Sequence, residues 1–267
     1  GFNSDGFNLG TDGGVNASGG TYVSYNFLGN NTTGSSNTDG TITSTVSANT
    51  TAGFSIVKFT GTGANATVGH GLSSAPSMMI VKGLSFVDNW CVFHSSLGGG
   101  KKLKLNTTGA EIASSSAWNN TSPTSSVFSV ADDGETNNNG SAMIAYCFAE
   151  KQGYSKFGSY TGNGNADGTF VYTGFKPAFV MVKNVNSGAQ GWLMFDDERS
   201  PFNVANKFMV ANLSQAEAST STHTMDFLSN GFKIRGTDDG VNGSGNTIIY
   251  MAFAEQPLVG DNPATAR

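Results

Sequence analysis

An all-β protein made of tandem β-sandwich modules, jelly-roll-like in character, is what the sequence predicts, on three observations. Apolar residues make up 37% of the 267, but only 12% are charged, and 36 are Gly. The remaining polarity comes from Asn, Ser and Thr, which with Gly favour turns, because Gly tolerates positive φ and Asn and Ser bond back to their own backbone. Between these turn clusters, β-branched and aromatic residues fill short intervals, the pattern of many short strands. Finally, one phrase recurs: "GTDGGVNASGGTYVSYNF" at 10–27, "GTDDGVNGSGNTIIYMAF" at 236–253 and, more loosely, "ADDGETNNNGSAMIAYCF" at 131–148.

The repeat organises the chain from its start. Residues 1–29 match only the last third of a module and are expected to be the C-terminal part of a truncated first module. Residues 30–52, rich in Thr, Ser and Asn, read as a linker, with "TITSTV" able to add an edge strand. Residues 53–150 and 151–256 form two complete modules, with "FTGTGANATVGHGLSSAPSMMIVK" paralleling "YTGNGNADGTFVYTGFKPAFVMVK" and "NWCVFHSS" paralleling "GWLMFDDE". Residues 257–267 read as a tail. In the last module, strands are expected at 155–161, 169–174, 178–184, 190–196, 206–211, 224–228, 231–235 and 246–254. Aligned on the final Phe, the closing strands show one apolar face: Val23–Tyr25–Phe27, Ile144–Tyr146–Phe148 and Ile249–Met251–Phe253. A period of two with one apolar side places that side against a core. With so short a join, the two complete modules should pack on each other.

The bulk charge narrows the function classes. A formal net charge of −5, with no basic run beyond Lys101, Lys102 and Lys104, argues against a nucleic-acid partner. No apolar run approaches the roughly 20 residues that a membrane-spanning helix needs.

Few residues suggest chemistry. Cys91 and Cys147 read as small buried hydrophobes, with a disulfide as the alternative. His70, His94 and His223 lack metal-site spacing. The pairs Asp132–Asp133 and Asp238–Asp239 lie in the repeated turn, where an Asp-Gly turn accounts for them. The sharper reading is a Ca²⁺ loop, since carboxylates and Asn carbonyls are hard oxygen ligands, although the D-x-D-x-D-G spacing is absent. Asp196, Asp197, Glu198 and Arg199 form the densest charge cluster, read as an ion pair or loop cap and kept as a ligand-binding candidate through Asp196, Asp197 and Arg199. Trp90 and Trp192 share a repeat position and read as core. Trp118, in "SSSAWNNTSP", is expected among surface loops, where with Asn119 and Asn120 it would form a stacking platform for a glycan.

"GFSIVKFTGTG", "VGHGLSSAPSMMIVK", "NTTGAE", the opening "FNSDGFNLGTDGGVNASGGTYVSYNF" and the closing "FAEQP" together resemble repeat modules of virion appendage proteins of tailed phages, marine ones especially. The resemblance implies a β-rich fibre or spike protein, extracellular on the virion, and supplies no catalytic residues; the low charge and the lack of a catalytic constellation in the sequence lead to the expectation that it is non-enzymatic. The resemblance also implies partners: other virion proteins, further copies of the chain (trimeric by analogy with such fibres) and a host receptor or surface glycan. The alternatives are a cell-surface adhesin or filament subunit and a polysaccharide depolymerase on a β scaffold.

Overall fold

The structure is a computed structural model that describes residues 2–3, 6–30 and 32–254; the expected tail at 257–267 lies outside them. The chain opens with a small hairpin, β1 (Phe2–Asn3) and β2 (Gly6–Phe7), followed by a single helical turn, α1 (Gly13–Asn16). Residues 21–30 then run without regular secondary structure.

The next stretch supplies β3 (Ser35–Asn37), β4 (Ser44–Asn49), β5 (Phe54–Thr60), β6 (Ala66–Gly69), β7 (Met78–Gly83), β8 (Cys91–His94), β9 (Lys101–Lys104), β10 (Ile112–Ala113), β11 (Val127–Val130), the turn α2 (Gly134–Asn137) and the closing strand β12 (Ala142–Phe148). Eight of these strands form one antiparallel sheet in the order β10–β9–β8–β7–β12–β5–β4–β3, and β11 and β6 form a smaller one. The last stretch repeats the plan with β13 (Ser155–Thr161), β14 (Phe170–Tyr172), β15 (Pro177–Asn184), β16 (Leu193–Asp196), β17 (Lys207–Val210), β18 (Ala218–Ser219), β19 (Met225–Leu228), β20 (Gly231–Ile234), the turn α3 (Asp239–Asn242) and the closing strand β21 (Thr247–Ala254). Its large sheet runs β13–β21–β15–β16–β17–β18 and its small one β14–β20–β19. All eight strands expected in the last module are present, and the fold is an all-β, sandwich-type architecture.

In the connection, the alternative of an added strand at "TITSTV" is the form observed. The stretch 30–52 is not a free linker: β3 and β4 extend the large sheet beyond β5, with Val46 opposite Val57. Among its polar residues, Ile42 and Val46 are apolar, and both are buried in the middle sandwich. β3 is the edge strand, and one aliphatic side chain, Val46, is enough to seat the Thr/Ser-rich β4 between it and β5.

The repeated phrase has a physical cause in each copy. Asp12, Asp133 and Asp238 cap α1, α2 and α3, their side chains accepting from the backbone N–H two residues on at 2.7, 2.9 and 2.7 Å. An Asn at the end of each turn bonds back across it. Asn137 Nδ2 donates to the carbonyls of Ala131 and Ala64, and Asn242 Nδ2 to those of Gly236 and Asn165. Their Oδ1 atoms accept from Thr62 N and Asn163 N. This pins the "TGTG" and "TGNG" turns, where a Cβ on Gly61 or Gly162 would meet a backbone carbonyl at 2.2 or 2.3 Å.

Three apolar clusters result. Within the middle sandwich, Val57, Met79, Cys91, Phe93, Cys147 and Phe128 pack between the sheets. Within the last, Val180, Phe195, Phe208, Phe232, Ile248 and Tyr250 do the same. The third joins the two: the outer faces of both large sheets meet through Phe54, Val92, Phe148, Met181, Trp192 and Phe253. The outer faces of the two large sheets therefore share one apolar seam.

Candidate functional site

A cleft lies where residues 14–23 approach the last sandwich. It has a volume of about 690 Å³ and is lined by Gly14, Val15, Tyr22, Glu198, Met209 and Glu217, among others. Its floor is an interlocked polar cluster. Arg199 Nε donates to Asp196 Oδ2 at 2.6 Å, Tyr25 Oη donates to the same oxygen at 2.6 Å, and Arg199 N donates to Asp196 Oδ1 at 2.8 Å. Arg199 also reaches the Met194 carbonyl at 3.1 Å and Glu217 at 3.5 Å. Burial and the hydrogen bond to Asp196 push the Tyr25 phenol well above its ordinary range. A buried carboxylate that is ion-paired and shared by two donors is well satisfied. Chemically the cluster is a latch: it ties the first segment to the last sandwich across 171 positions of sequence.

Of the expected ligand residues, Asp196 and Arg199 come together in that latch, and Asp197 lies beside it with Lys176 at 3.4 Å. Trp118, Asn119 and Asn120 are elsewhere, and the surface-platform expectation is corrected. Trp118 is fully buried in the middle sandwich, edge-on to Phe93 at 5.7 Å between ring centroids. Its neighbours are loop-forming, with Asn119 and Asn120 both at positive φ. That bend turns the polar residues outward and the indole inward.

The expected Ca²⁺ residues are employed in the turns. Asp133 and Asp238 are helix caps; Asp133 also pairs with Lys102, and Asp238 lies 3.1 Å from His223. Asp132 and Asp239 are exposed on the same turns. Among the described residues, no three His, Cys, Asp or Glu side chains converge as metal ligands. Cys91 and Cys147 are free and buried. Burial pushes the Cys147 thiol up to about 12 and the Cys91 thiol well up too, which keeps both protonated.

Three features went unseen in the sequence. His94 sits at the seam between sandwiches, its Nε2 3.1 Å from the Tyr250 carbonyl and its Nδ1 accepting from Ser96 N. Burial pushes it down to about 4. Lys183, fully buried, donates to the carbonyls of Asn184 and Thr108. Tyr25 belongs to the repeated apolar face, the only available signal for it. A second, smaller groove of about 380 Å³ is lined by Val204, Asn206, Thr220, Ser221, Thr224 and Arg235, with Phe202 exposed nearby in sequence.

No curated protein and no solved structure matches the chain. A family model described as a domain of unknown function, DUF7483, matches residues 1–257, and the chain belongs to that family.

Proposed function

We propose that the protein is a non-enzymatic structural and adhesive component of a virion appendage, a fibre or spike on the outside of a tailed phage. The observation that carries this reading is the apolar seam between the sandwiches. A repeat that spends its outer sheet face on the next repeat makes a stiff body that holds surface loops at fixed separation, as an appendage requires. The low charge and the Asn/Thr/Ser-rich loops support the same reading, as does the sequence resemblance. The adhesive surface is assigned to the groove beside Val204. Thr220, Ser221 and Thr224 line it together with Arg235, whose guanidinium Asp226 holds at 2.6 Å, a polar surface able to bond sugar hydroxyls.

Immunogold labelling of particles purified from a phage lysate, with antibody raised against the chain, tests the location. Gold on tail appendages is expected; gold on cell surfaces alone would make the protein an adhesin. Co-sedimentation with envelope polysaccharides tests the activity. Retention that is lost in Arg235→Ala, without new reducing ends, is expected. Release of reducing ends would make the protein a depolymerase.

A further inference from the structure

Within the chain, the loop that follows β9 in the middle sandwich lies against the stretch between β15 and β16 in the last. Trp192 Nε1 donates to the Lys104 carbonyl at 3.0 Å, Glu111 N to the Val185 carbonyl at 2.8 Å, and Lys183 Nζ to the Thr108 carbonyl at 3.2 Å. His94, at the end of β8, meets the closing strand of the last sandwich at the Tyr250 carbonyl. One sandwich offers a loop and the other receives it. The contact is therefore heterologous, with two different surfaces meeting rather than one surface meeting itself.

Because the sandwiches are repeats, each also carries the half that it does not use in this contact, and register identifies it. Trp90 N and Trp192 N donate to Asn106 Oδ1 and Asn212 Oδ1, and Leu84 N and Val185 N donate to the Ala142 and Thr247 carbonyls. Trp90 and Leu84 in the middle sandwich therefore stand where Trp192 and Val185 stand in the last, and Lys82 where Lys183 does. Lys104 lies opposite Cys91 as Val210 lies opposite Leu193. Counting on from there, Ser214 and Glu217 take the places of Thr108 and Glu111.

Both spare halves are uncovered. Leu84 is 52% exposed and Trp90 37%, where Val185 and Trp192 are each 1%. Val87, between them in sequence, is fully exposed. Apolar side chains so exposed and so close in sequence form a patch of the kind that marks an interaction surface. Trp90 Nε1 and the Leu84 carbonyl, whose counterparts bond across the seam, make no hydrogen bond among the described residues. Lys82 Nζ folds back onto the Gly83 and Phe86 carbonyls at 2.8 and 3.3 Å, whereas Lys183 Nζ divides between those of Asn184 and Thr108. On the offering side, residues 213–217 are exposed throughout, while 107–111 are half-buried.

We infer that the loop between β17 and β18 of one copy docks on the Lys82–Trp90 stretch of a second copy, repeating between chains the contact made within one. Trp90 Nε1 would donate to the Val210 carbonyl, Glu217 N to the Leu84 carbonyl and Lys82 Nζ to the Ser214 carbonyl. A second copy is the occupant because the internal contact already shows that these two halves fit. The first segment competes for the same ground. Asp196, the counterpart of His94, is held by Tyr25 and Arg199, and residues 14–23 line the cleft with Met209 and Glu217. The incoming copy's closing strand needs that place, so docking displaces the first segment and the latch sets the affinity. The inference goes beyond the location proposed above, since it concerns how copies join in any setting.

Sedimentation velocity of the full chain over a concentration series is the test. Tyr25→Phe keeps the ring against Phe179 but removes the bond to Asp196. It should strengthen self-association on the order of tenfold, the worth of one hydrogen bond to a charged group. On that background, Leu84→Asp disables the receiving half and Ala216→Arg the offering half, both at exposed positions. Each of these chains should be monomeric alone. Their equimolar mixture should form a dimer and nothing larger, because each chain keeps one working half. A Tyr25→Phe chain that stays monomeric at the highest concentration would overturn the inference. Assembly that persists in either disabled chain alone, or a mixture that stays monomeric, would overturn it too.

Discussion

The middle and last sandwiches share a backbone plan but solve the same corner by different chemistry. Where β9 faces α2, Lys102 bridges Asp133 and Glu135, with Lys104 and Asn89 each 2.8 Å from Glu135. At the equivalent corner of the last sandwich, Phe208 replaces Lys102 and stacks on His223 at 4.7 Å, and Gly240 replaces Glu135. The cap is common to both, since Asp133 and Asp238 each close their turn. The fold thus demands a filled corner and a capped turn but not a particular side chain there. A buried ion cluster and an aromatic stack are alternative ways to meet that demand, and they should fail under different conditions.

The largest effects come from the tryptophans. Trp118→Ala and Trp192→Ala each remove a fully enclosed indole and should cost about 3–5 kcal/mol, lowering Tm by on the order of 10 °C. Trp90→Ala, at the same repeat position as Trp192, should cost under about 1.5 kcal/mol, because the indole lies half in water against Tyr146. Calorimetry on the three variants decides the matter. Equal losses for Trp90 and Trp192 would break the asymmetry between the sandwiches.

Those tryptophans also show what sequence could and could not reveal. The strands were legible, because alternation of apolar and polar residues between Gly- and Asn-rich turns is a local signal. Trp118 was not, because its neighbours are Ser and Asn while its burial is decided by Phe93, 25 positions away in sequence. Similarly, β4 could be read as linker or as an added edge strand, because Thr and Ser dominate it and its burial rests on Val46 alone among its large apolar residues. Within the site, Asp196 and Arg199 were visible as a charge cluster, but Tyr25, which makes that cluster a latch, lies outside any local window. Contact among Phe27, Phe148 and Phe253 was latent in the three aligned repeats, yet nothing local says that equivalent residues must touch.

Next in size is the ion cluster. Burial alone would raise the Glu135 carboxyl, but hydrogen bonds from Lys102, Lys104 and Asn89 outweigh it and hold the group below its ordinary value. Burial likewise opposes charge on Lys102, yet Asp133 and Glu135 hold its pKa above the usual range. Glu135→Gln strands Lys102 with one anion and should cost roughly 3 kcal/mol at pH 7. A depressed carboxyl contributes stability above its unfolded value near 4.5 and loses it as pH falls through the folded value. The penalty of the variant should therefore shrink on acidification below about pH 4. A penalty independent of pH would assign Glu135 a packing role instead.

His94 gives an effect of comparable size at a different pH. Its folded value of about 4 lies below the ordinary 6.5, so the unfolded chain binds a proton that the native one refuses. Stability is complete above pH 6.5 and falls by about 1.4 kcal/mol per pH unit between there and 4. The loss should act on the seam, because His94 Nε2–H donates to the Tyr250 carbonyl. His94→Asn should flatten the Tm–pH curve across that window. An unchanged slope would place the titration elsewhere.

The three caps give the finest test, because one motif is read in three settings. Replacing a capping Asp by Ala costs about 0.5–2 kcal/mol in general. Asp133→Ala should sit at or above the top of that range, since it also unpairs Lys102. Asp238→Ala should fall in the middle, losing the cap and the contact with His223. Asp12→Ala should be smallest, because α1 buries no residue and its cap stands in solvent. If the order of the three costs were reversed, the motif would be serving something other than the turn it caps.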